Sequence, residues 1–300
     1  MSFDDKLKEK VSSIESVIAG MLPEETGPQA TIFKAMNYAV NAGGKRLRPM
    51  LMEECAVLFG GAREELLHPF MAAMEMIHTY SLIHDDLPAL DNDEYRRGRK
   101  TTHKVYGEAM AILAGDGLLN YAFETAARAL TAATPQELPR VAEAMAVLTA
   151  KPGIYGMIGG QVVDVELTGK PLDEATLEFI YHNKTSALIQ CAMMIGGILA
   201  GACASDVKAL EAAADAIGIA FQIQDDILDV TSTLETLGKA VGSDEKNEKT
   251  TDVTLKGMAQ AQAEVARLSM EAIDIMEALD IDRRNLFLKE LILWLIHRDK

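Results

Sequence analysis

Two acidic runs, Asp85-Asp86-Leu87-Pro88-Ala89-Leu90-Asp91 and Asp225-Asp226-Ile227-Leu228-Asp229, sit inside stretches that are otherwise apolar and helical in spacing. They constrain the fold because a carboxylate taken out of water unpaired is strongly penalised, so each run needs a cation or an opening to solvent. At about 100° per residue, Asp225 and Asp229 project from one helical face, about 40° apart. Asp85 and Asp91 would lie about 240° apart on a straight helix, but Pro88 disfavours helical geometry at Leu87 and can turn Asp91 back toward Asp85. Either run alone is equally well an acidic patch at a helix end. Together, as dense oxygen-only donor sets, they suit Mg²⁺ or a similar hard cation.

The apolar residues make up 49% of the 300 and aromatics only 5%, with many Ala, Leu and Met, which favours helices over sheets. No strand-like alternation and no repeat at a period of about 20 to 50 residues is visible. The spacing predicts helices from Ser2 to before Pro23, Pro28 to Ala42, from after a turn at Lys45 to Pro49 to near Gly60, Glu64 to Leu87, His103 to Leu130, Pro135 to Ala150, Asp173 to Ala204 and from Ser205 through the second acidic run, with two more closing the chain. Glu64 to Leu87 is apolar on nearly every face and therefore central. The glycines Gly156, Gly159 and Gly160 point to close backbone packing. Thr231 to Asp252 is polar and suits a lid. No composition break separates domains, so residues 1–300 read as one all-α domain.

A net charge of −16 excludes nucleic acid and an anionic membrane as main partners. Two basic knots stand against that background: Lys45, Arg46 and Arg48 after Gly43-Gly44, and Arg96, Arg97, Arg99 and Lys100 after the first acidic run. They are either solvated faces or, beside a metal site, a clamp for a phosphate-bearing substrate. His78, seven residues before Asp85 and within about 20° of its face, points toward the acidic site or is a satisfied core histidine. Cys55, Cys191 and Cys203 lack CxxC spacing and read as buried thiols in a reducing cytoplasm. The charged start lacks an apolar signal region. Ala187 to Ala204, interrupted by Gln190 and three glycines, reads as a core helix and not a membrane span.

These motifs carry a resemblance. GGKRLRP (43–49), IHTYSLIHDDLPALDND (77–93), RRG (96–98), GGQVVD (159–164), KT (184–185), FQIQDDILD (221–229) and GK (238–239), in this order from about Lys34 to Lys300, are similar to those of trans-isoprenyl diphosphate synthases, in particular bacterial farnesyl diphosphate synthases. The resemblance implies a single-domain bundle of long, mostly antiparallel helices around a central cavity. It also implies that an allylic diphosphate (dimethylallyl, then geranyl) is joined to isopentenyl diphosphate.

On matching positions, Asp85, Asp91 and Asp225 would hold Mg²⁺, three ions per site, with Asp86, Asp226 and Asp229 supporting. Lys45, Arg48, His78 and Arg97 would form the isopentenyl diphosphate site. Arg96, Lys184, Lys239 and Lys249 would grip the allylic diphosphate, with Thr185 and Gln222 flanking the carbocation. Tyr80, with Ser81, would form the floor that stops growth at C15. Lys100, Ser186 and Asp252-Val253 depart from the family pattern. A homodimer follows from the resemblance alone. The alternatives are a C20 geranylgeranyl diphosphate synthase and a non-catalytic partner subunit; a terpene cyclase would not need Lys45 and Arg48.

Overall fold

The structure is a computed structural model that describes residues 2–231, 250–280 and 285–296. Among the described residues it is all-α apart from one two-residue strand pair, and it divides into two compact units, residues 1–53 with 62–145, and 54–61 with 146–300.

The first unit holds α1 (Phe3–Met21), α2 (Ala30–Val40), the start of α3 (Leu47–Leu58), α4 (Glu64–Asp85), the pair β1 (Tyr95–Arg96) and β2 (Arg99–Lys100), α5 (Thr102–Tyr106), α6 (Glu108–Ala132) and the start of α7 (Leu138–Ala150). Ser2 caps α1 in the expected box with Asp5. The main seam joins α4 to α6. On α6 the seam is lined by small residues at helical spacing, Ala111, Ala114, Ala122, Ala126 and Ala129, with one Leu118 among them, all fully buried. Their size lets the axis of α6 approach the bulky face of α4, where Phe70, Met71, Met74, Met76 and Ile77 are buried. Each such side chain contributes about 1.5–3 kcal/mol on burial. At Gly115 the approach is close enough that a Cβ would stand 2.0 Å from His84 Nε2.

Sequence spacing runs His103 to Leu130 together, whereas the chain breaks at Gly107, whose φ of 85° and ψ of 159° end α5 and cap α6. That backbone region is open to glycine and strained for other residues. The strand pair is a further difference from expectation. It is a tight hairpin whose turn, Arg97 (φ 53°) and Gly98 (φ 73°), has both central residues left-handed, the form that matches strand twist.

The second unit holds the remainder of α3 and α7, then α8 (Met157–Glu166), α9 (Glu174–Ile180), a π-helical turn (Tyr181–Ser186), α10 (Ala187–Ala200), α11 (Ala204–Thr231), α12 (Asp252–Lys256), α13 (Met258–Leu279) and α14 (Leu286–Ile296). Here α11 is central, packing along α10 and α13. α10 is buried from Ala187 to Leu199 and ends at Gly201 in the left-handed conformation. No helix among the described residues is long and apolar enough to cross a membrane. Cys55 and Cys191 are buried as expected, but Cys203 is exposed: it follows the Gly201 turn, outside the apolar helix, and contacts the Ser205 hydroxyl.

The first unit also buries an ion pair. Arg46 (4% exposed) donates from Nη1 to Glu75 Oε1 at 2.7 Å and from Nη2 to the Val40 carbonyl at 2.8 Å, and Glu75 is 2% exposed. Removing one partner strands the other charge in the core. Glu75→Ala is expected to cost about 3–5 kcal/mol, seen as a lower urea midpoint at unchanged m-value.

Candidate active site

In the first unit the functional side chains cluster where α4 ends. Leu87 N–H bonds to the His84 carbonyl and Leu90 N–H to the Leu87 carbonyl, so the chain coils back past Pro88. Asp91 N–H then donates to the Asp85 carbonyl at 2.9 Å. The backbone of Asp91 thus returns to Asp85, as the proline suggests. Asp86 is 3% exposed and is gripped by Arg96, Nε at 2.7 Å and Nη2 at 2.6 Å, both to Oδ1. Burial lifts the Asp86 carboxyl above its ordinary range against the pull of Arg96. On the arginine, burial is outweighed by the Asp86 hydrogen bond and the charges of Asp86, Asp93 and Asp85, which hold the guanidinium above its usual value.

The two basic knots meet. The Arg97 guanidinium donates to the Gly43 carbonyl and lies so close to Gly44 that a Cβ there would stand 2.8 Å from Cζ. Arg99 stacks over Tyr38 at 5.1 Å and donates to the Asn41 carbonyl at 3.1 Å, and Tyr38 donates to the Lys100 carbonyl at 2.7 Å. The hairpin is therefore tied to the end of α2. Arg48 is half-buried; burial and the charge of Arg97 pull it down to about 10, with Glu75 opposing. Its Nε is buried without a hydrogen-bond partner. His78 is held well below the usual histidine value by burial and then by Arg48, Arg97, Arg96 and Arg46, so its ring is neutral and faces cations. Lys45 is exposed beside them.

Tyr80 is 5% exposed, its ring edge-to-face with His84 at 5.8 Å. Its hydroxyl has no partner, and burial with the nearby Asp85 charge raises it to about 12. Ser81 donates back to the His78 carbonyl at 2.9 Å.

In the second unit a hydrogen-bonded chain runs inward from the π-helical turn. Thr185 Oγ1 donates to Gln222 Oε1 at 2.8 Å, and Gln222 Nε2 to Asp226 Oδ1 at 3.0 Å. The other oxygen of Asp226, a residue 3% exposed, accepts from the Tyr181 hydroxyl, which itself accepts from Asp252 N–H at 3.0 Å. Lys184 Nζ bonds Asp164 Oδ2 at 2.6 Å. Gly160 explains that contact, since a Cβ there would stand 2.4 Å from the Lys184 backbone nitrogen. The GGQVVD stretch thus docks one backbone on another. Asp225 is half-buried and Asp229 buried. Lys239 and Lys249 lie outside the described residues, as does most of the polar stretch read as a lid.

Sequence reasoning missed Tyr181, the wide turn itself and Asp215. No local pattern marks the turn. Asp215 stands seven residues before Gln222, on the same face of α11, which is a signal available in the spacing. Asp252, noted only as a departure, is 2% exposed and paired with Lys256 at 3.0 Å.

A cluster of cations, half-buried to exposed, beside one carboxylate motif, and a polar chain leading to another, fit a helical enzyme that handles anionic, phosphate-bearing substrates. Residues 29–284 match the Polyprenyl synthetase family, and the chain belongs to it; it is a trans-prenyltransferase. The chain is 42% identical over 268 residues to a farnesyl diphosphate synthase of Geobacillus stearothermophilus, covering 89% of this chain and 88% of that one. It is 45% identical over 250 residues to a chloroplastic geranylgeranyl pyrophosphate synthase of Capsicum annuum (83% and 67%). A solved geranyltransferase from Legionella pneumophila superposes with a TM-score of 0.86 at 32% identity, covering 99% of this chain and 97% of that one.

The neutral His78 carries a pH consequence. Its folded-state value lies below the unfolded one of about 6.5, so below that pH the unfolded chain binds a proton the folded chain refuses. Stability falls as pH drops from about 6.5 toward the folded value. The His78 ring nitrogens are expected to show neutral-imidazole NMR shifts at pH 6, and His78→Gln to flatten the stability profile between about pH 6.5 and 5.

Proposed function

We propose that the chain is a farnesyl diphosphate synthase that joins isopentenyl diphosphate to dimethylallyl and then geranyl diphosphate, residues 1–300 acting as one catalytic domain. The observation that carries this reading is Arg48: a half-buried guanidinium with an unpartnered Nε among like charges is completed by an anion. With Lys45, Arg97 and the neutral His78, it suits the diphosphate of isopentenyl diphosphate. Arg96 and Lys184, with Lys239 and Lys249, are assigned to the allylic diphosphate.

Mg²⁺ fits the acidic motifs. All their side-chain donors are hard oxygens, and no three His, Cys, Asp or Glu among the described residues form a ready-made cage. Mg²⁺ completes its shell with phosphate oxygens and water rather than with an all-protein cage. Asp85, Asp91 and Asp225 would hold it, three ions per site, with Asp86, Asp226 and Asp229 supporting. When bound, Mg²⁺ neutralises charge on the leaving diphosphate.

The basic side chains orient the diphosphates. The allylic C–O bond breaks with its electron pair leaving on diphosphate, the homoallylic double bond attacks the cation, and the proton passes to the departed diphosphate. The Thr185 and Gln222 oxygens are assigned to flank that cation, where their dipoles would stabilise positive charge. A homodimer in the cytoplasm belongs to the same reading. The exposed Ile158, Val162 and Val165 along α8 support a covered face, and the two buried thiols support a reducing compartment.

The C15 assignment rests on the buried Tyr80 as floor. The Capsicum relative named a geranylgeranyl synthase keeps C20 as the second reading. Incubation with isopentenyl and dimethylallyl diphosphates and Mg²⁺, followed by product sizing, is expected to give mainly C15, with Tyr80→Ala shifting it to C20 or longer. Mainly C20 from the unaltered protein would overturn the floor and keep the chemistry. Arg48→Ala is expected to raise KM for isopentenyl diphosphate about 10- to 100-fold, as for a lost hydrogen bond to a charged group at ~1.5–3 kcal/mol. Absence of product with every allylic primer would favour the non-catalytic subunit.

A further inference from the structure

Lys184 and Thr185 sit in a turn that an uninterrupted α-helix would not make. Between α9 and α10 the chain widens into π-helical geometry from Tyr181 to Ser186. Such turns are rare and give up regular hydrogen bonding, so something outside the helix has to hold them.

That something is on α11. Asp215 Oδ1 accepts from Ser186 Oγ at 2.8 Å and from Gln190 Nε2 at 2.8 Å, and it meets His182 Nδ1 at 2.8 Å. One oxygen thus gathers groups from within the turn and from the first part of α10. Gln190 Nε2 also lies 3.1 Å from Ser186 Oγ, and its Oε1 accepts from Lys151, which pairs with Glu211 of α11 at 2.7 Å. One helical turn beyond Asp215, Gly218 leaves the space the wide turn occupies: a Cβ there would stand 2.6 Å from both Cα and Cβ of Ser186. Further along the same face, Gln222 receives the Thr185 hydroxyl. Ser186 is therefore an integral part of the clamp.

We propose that Asp215 is a positioning residue for prenyl transfer: by clamping the π-helical turn against α11, it sets Thr185 on Gln222 and Lys184 beside Asp164. Asp215 itself touches no substrate. The proposal rests on the reading that Lys184 and Thr185 serve the allylic diphosphate, and its consequence is selective. Loosening the turn disturbs the allylic substrate and spares the isopentenyl diphosphate site, whose residues all come from the first unit.

The test is steady-state kinetics with each substrate varied in turn, on Asp215→Ala, Asp215→Asn, Gly218→Ala and Lys184→Ala, with circular dichroism to confirm folding. Misplacing a group by about 1 Å can cost on the order of 100-fold, so Asp215→Ala is expected to raise KM for the allylic diphosphate about tenfold or more and to lower kcat, with KM for isopentenyl diphosphate within about twofold. Asp215→Asn, which keeps an acceptor for Ser186 and Gln190, is expected to recover most of the loss. Gly218→Ala should reproduce the same split by pushing the turn away from α11, and it carries the test if Asp215→Ala does not fold. Equal shifts for both substrates would overturn the proposal. So would an unchanged Asp215→Ala beside a selectively impaired Lys184→Ala, in which case the reading of Lys184 survives. If Lys184→Ala is unchanged while Asp215→Ala is selectively impaired, the assignment of Lys184 falls and positioning through Thr185 stands. If both are unchanged, the proposal and that reading fall together.

Discussion

The cost of carrying carboxylates into a helical interior governs both units. Asp86 and Asp226 occupy the same position in their respective motifs, and each is 3% exposed. The two are accommodated differently. Asp86 is met by the forked guanidinium of Arg96, delivered by a hairpin that is itself fastened to the end of α2. Asp226 is met by the neutral donors of Tyr181 and Gln222, which tie it to the π-helical turn and to the start of α12. In each unit, satisfying one buried acid recruits the segment that carries the side chains proposed to meet the diphosphates. Structural necessity and placement of function thus share the same contacts.

Cationic charge is treated in the opposite way. Arg46 is paired with Glu75 inside the first unit, and this leaves Arg48, Arg97 and the neutral His78 facing one another. Mutual repulsion there is a cost to the folded chain, and it is of the kind that a bound anion relieves. The acidic balance of the whole sequence gives no hint of this local excess; only the folding of two distant basic knots onto one another creates it.

Much of this was legible beforehand because it depends on short-range rules. Pro88 turning the chain so that Asp91 returns to Asp85, the apolar α4 and the capping box at Ser2 all follow from spacing and local sterics. What escaped depends on partners far away in sequence. The π-helical turn exists because Asp215 and Gly218 accommodate it from another helix, and nothing in Tyr181 to Ser186 alone announces it. The break at Gly107 was hidden because one glycine in a helical pattern is compatible with continuation or with a cap, and only its positive φ decides. Cys203 was misjudged for a related reason: the apolar run continues past Gly201, but the helix does not.

Gly107 has a counterpart. Gly257 adopts φ 87° and ψ 155°, follows the five-residue helix α12 and caps α13, just as Gly107 follows the five-residue α5 and caps α6. Each short helix opens after a threonine, Thr101 or Thr251. In each unit the helix that bears an acidic motif packs along the one that begins at this glycine, α4 on α6 and α11 on α13. A repeat sought at short periods is absent, yet the same sentence is written twice at half the chain's length, with its words almost wholly replaced. The motif shared by the two units is thus a pair of packed helices with a buried acid near the end of the first, that acid being met by different donors in each.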